Sequence, residues 1–164
     1  MRRKDKETND IKEIENILTE SEIGIVGMVV DDFAYSVPVN FLYYQKAVYF
    51  HSANEGKKIQ ALKKNKNVSF LTYIEGDVIT SEDPCNASRS FKSVMLQGKA
   101  EFVKDMDLKQ VVLDKMVKKY YPKDEYAALD NNDFKNAVLK AVNGVEVVKI
   151  SIDRLSCKIS HWNN

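Results

Sequence analysis

His51, Ser52, Lys57 and Lys58 bring an imidazole, a hydroxyl and two ammonium groups into one short stretch, Tyr49-Phe50-His51-Ser52-Ala53-Asn54-Glu55-Gly56-Lys57-Lys58. The stretch opens as a strand, with Val48 and Phe50 alternating against Tyr49 and His51, and continues as a helix over Glu55 to Lys64. Asn54 is the expected N-cap, and Ile59 and Leu62 carry the apolar helical spacing. Lys57 and Lys58 then fall in the first turn, where the helix dipole is positive and a cation costs roughly 0.3–1 kcal/mol. An anion between them and the free backbone N–H groups removes that cost, and with Ser52 nearby the arrangement suits a phosphate. The alternative is a lysine pair turned to water, its small penalty screened by salt. His51 has an ordinary pKa near neutrality and is read in two ways, as a proton donor or as a strand histidine bonded to neighbouring backbone.

The elements that must position these groups follow from hydrophobic periodicity. Residues 1 to 9 read as a flexible tail ahead of one domain over 10–164. Ile11, Ile14, Ile17 and Leu18 share one face of a helix from Asp10 to Glu20. Ile23 to Val30 is a β-branched, buried strand, turned at Asp31-Asp32 into a second strand from about Ala34 to Tyr44. Pro38 interrupts that second strand and marks a bulge, an unpaired edge or a guard against edge aggregation. With Ala47 to Ser52 as the third, these strands predict an antiparallel meander. Val68 to Ile74 is a fourth strand, Glu75 to Arg89 a long loop, and Phe91 to Val103 a fifth strand with a bulge or close approach at Gly98. Helices over Asp107 to Tyr120, stopped by Pro122, and over Asn132 to Val142 precede a last strand from Gly144 to Ile159. Six strands, mostly hairpin-connected, with helices at the ends predict a small antiparallel β-barrel of α+β class.

Composition limits what such a domain does. The 25 basic and 24 acidic residues leave a net charge of +1, which argues against a dedicated nucleic-acid binder. Lys57, Lys58, Lys63, Lys64 and Lys66 crowd one helix and loop, but a solvated face accounts for them more simply. Cys85 and Cys157 show neither a CxxC spacing nor a disulfide framework, and His51 and His161 have no further ligand at metal-binding spacing. Neither a signal peptide nor a run of about 20 apolar residues is visible, so no membrane contact and a cytoplasmic location are expected.

The order Val37-Pro38-Val39-Asn40-Phe41, Val48-Tyr49-Phe50-His51-Ser52-Ala53-x-x-Gly56-Lys57-Lys58, Leu62-Lys63-Lys64-Asn65 and Val68-x-Phe70 resembles the FMN-binding split-barrel family. That family includes pyridoxamine 5'-phosphate oxidase. Lys92-Ser93-Val94-x-x-x-Gly98-Lys99-Ala100-Glu101 adds likeness to its nitroimidazole-resistance (Nim-type) branch. The resemblance implies a six-stranded split barrel and FMN as cofactor. Lys57 and Lys58 would hold the FMN phosphate, with Ser52 and, more weakly, Ser93 near it. Pro38, Val39, Asn40 and Phe41 would offer backbone groups to the isoalloxazine, and His51 would stand near its reactive part. It also implies a homodimer with FMN between subunits, and Tyr43, Tyr44 and Phe91 are aromatic candidates for an interface. The C-terminal Arg154 to Trp162 does not carry the Trp and Arg pattern of the oxidases proper, which leaves Trp162 either near a flavin or packed on the surface. Two functions follow: an FMN oxidoreductase passing electrons from a nicotinamide donor to a small, for instance nitroaromatic, acceptor, or a flavin- or haem-binding protein without turnover.

Overall fold

The computed structural model describes residues 3–121 and 132–161. Among these, eight strands replace the predicted six: β1 (Glu7–Thr8), β2 (Ile23–Val30), β3 (Phe33–Asn40), β4 (Leu42–Tyr44), β5 (Ala47–Ser52), β6 (Asn67–Ile79), β7 (Ser88–Phe102) and β8 (Glu146–Ser160). Four helices accompany them: α1 (Ile11–Glu20), α2 (Lys57–Lys64), α3 (Met106–Tyr120) and α4 (Asn132–Gly144). Pro122 and Trp162 lie outside the described residues.

The strands form one antiparallel path in the order β3-β2-β6-β7-β8-β5-β4, with β1 paired to β8. β3 and β4 are therefore at opposite ends of the path yet joined in the chain through Phe41. This is the seam of a split barrel. It also corrects the predicted meander: the strand expected over 34–44 breaks at Phe41, β3 pairs only β2, and β4 pairs only β5. Each of those hairpins closes through residues of positive φ, Asp31 and Asp32 in the first and Gln45 and Lys46 in the second.

Two further expectations give way. The predicted loop over 75–89 shortens to residues 80–87, because a bulge between Glu75 and Val78 absorbs Gly76 and Asp77 and restores pairing of Val78 with Arg89 and Ile79 with Ser88. The predicted tail is also engaged, with Glu7 paired to Lys158 and Thr8 to Cys157. Gly98 fulfils its expectation: the β7–β8 register shifts between Gln97 and Gly98, and a Cβ on Gly98 would collide with the Ser151 carbonyl oxygen.

Two apolar clusters result. One fills the barrel, where Ile17 and Leu18 of α1 and Leu62 of α2 meet Val26, Phe41, Phe50, Phe70 and Leu96. The other lies on the outer side of β5 and β8, where Tyr49 and Val147 pack under Val112 and Met116 of α3 and Val138 and Val142 of α4. The β5 alternation thus sends Phe50 inward and Tyr49 toward the helices. Asp10 and Asp105 start α1 and α3 as N-caps, accepting backbone N–H bonds from Lys12 and from Asp107 and Leu108.

Candidate functional site

β5 delivers His51 and Ser52 to the edge of the barrel, opposite Val147 and Glu146 of β8. Ser52 is buried; His51 lies on the helix side, partly open to solvent and partly enclosed by the side chains of the cleft it lines. The chain then enters α2 through Gly56, whose φ of 110° suits glycine and which caps the helix in place of the expected Asn54. No side chain caps this helix, and its first turn holds no carboxylate. A Cβ at Gly56 would meet nothing within 4 Å, so there is open space beside the cap residue.

Lys57 and Lys58 flank that opening. The Lys57 Nζ stands 4.8 Å from the centroid of the Tyr35 ring of β3, and the Lys58 Nζ stands 5.3 Å from the Phe50 ring. Cation–π contact places both ammonium groups against barrel aromatics, Lys57 on an exposed side chain and Lys58 on a half-buried one. Neither lysine forms an ion pair among the described residues. Burial lowers the Lys58 pKa, and burial followed by the Lys58 charge lowers that of His51. His51 is therefore tied electrostatically to the lysine pair, and its ring is largely neutral at pH 7.

The Pro38–Phe41 segment ends β3 beside this region. Pro38 is exposed on the edge strand, in register with Ile25, where its missing N–H interrupts no inner ladder. Val39 is buried, Asn40 is exposed and Phe41 is fully buried. Asn40 and His51 line a cleft of about 320 Å³ with Leu113, Met116, Tyr120 and Val138, an apolar slot carrying few polar groups. Ser93 does not join the others within one chain. It lies on the outer face of β7, between Tyr73 and Lys158, in a separate cleft of about 520 Å³. A larger cleft, about 650 Å³, crosses the same outer sheet face near Gly27, Ser69 and Gln97 and holds none of the predicted residues.

Sequence reasoning missed Lys119 and Tyr120, at the C-terminal end of α3. The Tyr120 hydroxyl oxygen accepts the Phe41 N–H at 2.8 Å and lies 2.9 Å from the Phe41 carbonyl oxygen and 2.5 Å from that of Glu22. Lys119 donates to the Ser21 carbonyl at 2.7 Å and to that of Phe41 at 3.2 Å. Burial pulls the Lys119 pKa down to about 8, partly offset by Glu22. Tyr120 follows Met116 by one helical turn, and that spacing was the available signal.

The family model described as pyridoxamine 5'-phosphate oxidase matches residues 10–159. The chain belongs to that family. Within it, a solved structure of a candidate 5-nitroimidazole antibiotic resistance protein from Bacteroides thetaiotaomicron is 30% identical, covers 93% of this chain and 86% of its own, and superposes with a TM-score of 0.75. This supports the Nim-type branch. A flavocytochrome from Azotobacter vinelandii has a TM-score of 0.81 at 23% identity, covering 99% of this chain and 72% of its own. An FAD and haem binding protein from Mycobacterium smegmatis has a TM-score of 0.80 at 18% identity, covering 97% and 76%. At those identities the likeness is one of fold. A comparison with curated proteins gives no match. Among the described residues no helix is long and apolar enough to cross a membrane, and no group of three or more His, Cys, Asp or Glu side chains is placed to hold a metal ion.

Proposed function

We propose that this protein binds FMN and uses it to pass electrons from a nicotinamide donor to a small organic acceptor, nitroaromatics being one class. The observation that carries the reading is the Lys57/Lys58 pair, held beside the barrel by Tyr35 and Phe50 at an uncapped helix start free of carboxylates. A flavin phosphate of roughly −1.5 to −2 charge would supply the missing anion. Charge-assisted bonds from the lysines would fix it, with Ser52 at the strand end adding a hydroxyl. The isoalloxazine would then run along Pro38, Val39 and Asn40, with Phe41 as buried backing and His51 near the reactive part of the ring. The bound flavin supplies hydride and electron transfer; the chain's residues grip, orient and shield it from water. One fold neighbour is an FAD and haem binding protein and another a flavocytochrome, which accords with a flavin site and keeps haem or FAD as the competing occupants.

A second copy of the chain belongs to this reading. Ile23, Tyr73 and Met95 are exposed by 49, 52 and 50% on the outer sheet face, an apolar surface suited to a homodimer. Absorption spectroscopy of the native protein, with mass measurement of released material, tests the cofactor. Bleaching by NADH or NADPH followed by reoxidation with a nitroaromatic supports turnover, whereas stable flavin without reduction favours storage. Colourless protein that takes up no added FMN refutes the proposal.

A further inference from the structure

We infer that Lys119 and Tyr120 are positioning residues for the cofactor wall, holding the Asn40–Phe41 backbone at the barrel seam so that Asn40 faces His51 across the cleft. The inference rests on the flavin reading above and extends it to α3. At the seam β3 ends at Asn40 and β4 begins at Leu42, so Phe41 belongs to neither strand. Ser21 and Glu22 likewise precede the first residue of β2. Ladder partners for these peptide groups are lacking where the barrel splits, and α3 supplies substitutes. The Tyr120 hydroxyl accepts the Phe41 N–H and has one proton to share between the Glu22 and Phe41 carbonyls, while the Lys119 ammonium bridges Ser21 and Phe41. Adjacent residues of one helix thus tie Phe41, at the seam, to the entry of β2.

Phe41 is held through its side chain as well. The Lys119 Nζ lies 4.0 Å from the centroid of its ring, which meets Phe70 edge-to-face at 4.9 Å. Gly24 makes room for that pair, since a Cβ there would collide with the Phe70 ring. Asn40 is the next residue along the backbone, and Tyr120 lines the same cleft as Asn40 and His51. A bland structural role fits less well, because an ammonium group satisfied mainly by carbonyls is a poor stabiliser beside an apolar side chain of similar volume. Its placement one residue from the cleft accounts for a lysine there.

The test uses the full chain as wild type, Tyr120→Phe and Lys119→Met, titrated with FMN and with riboflavin. Flavin fluorescence gives Kd, visible circular dichroism reports the environment of the bound ring, and melting reports stability. Each substitution should raise the Kd for FMN by about tenfold. Riboflavin should weaken in the same proportion, because the phosphate end is untouched, and the dichroism of bound flavin should change. Lys119→Met leaves Tyr120 in place and carries the test if Tyr120→Phe does not fold. Wild-type Kd and unaltered dichroism in the variants, even with a lowered melting temperature, overturn the positioning role while leaving flavin binding intact. A wild type that takes up no flavin overturns both.

Discussion

His51 and Lys58 lie on successive elements but share one electrostatic environment, and that coupling makes a residue-scale prediction. Burial, then the Lys58 charge, holds the His51 pKa below its ordinary value of 6.5. The neutral imidazole therefore dominates at pH 7, and any step that needs His51 as a proton donor should slow as pH rises through the depressed pKa. An NMR titration of the apoprotein should find the His51 midpoint below 6.5. Lys58→Met should raise that midpoint without fully restoring it, since burial is the larger cause. A midpoint at or above 6.5 in the wild type would contradict the geometry.

At the scale of elements, the β7–β8 ribbon depends on a close approach that only glycine permits. Gly98→Ala should destabilise the protein by about 1–3 kcal/mol, because the added methyl meets the Ser151 backbone rather than a side chain able to move away. Chemical denaturation would measure it; unchanged stability would mean that the register shift at Gln97/Gly98 relaxes freely. That close approach was legible in the sequence, as were α1, the strand β2 and the step from strand to helix after His51, although the cap is Gly56 and not the expected Asn54. Local alternation and glycine chemistry fix such features without help from distant parts of the chain. The seam was not legible. Residues 34–44 alternate like one strand, and only the pairing of β3 with β2 and of β4 with β5 shows that the chain changes partners at Phe41. The ends of the 75–89 segment misled for a related reason: Gly76 and Asp77 look like loop residues, yet the bulge accommodates them and Ser90 across the hairpin bonds the Asp77 carbonyl. Within the candidate site, Lys57, Lys58 and His51 could be found by proximity in sequence. Lys119 and Tyr120 reach Phe41 across the fold, so only their helical spacing hinted at a role.

On the scale of the whole molecule, the outer sheet face and the His51 cleft call for different tests. If the sheet face pairs two copies, Tyr73→Lys with Met95→Lys should turn a wild-type dimer into a monomer by light scattering, since each lysine would be buried without a partner. A wild type that is monomeric at high concentration would remove the dimer from the account. The central claim concerns the phosphate grip at α2. Calorimetric titration of the wild type and of the Lys57→Ala/Lys58→Ala double variant with FMN and with riboflavin probes it most directly. Two charge-assisted contacts should make FMN bind the wild type about 100-fold tighter than riboflavin, and the double variant should lose most of that preference. Equal affinity of the wild type for both flavins, or a double variant that keeps the full preference for FMN, would contradict it.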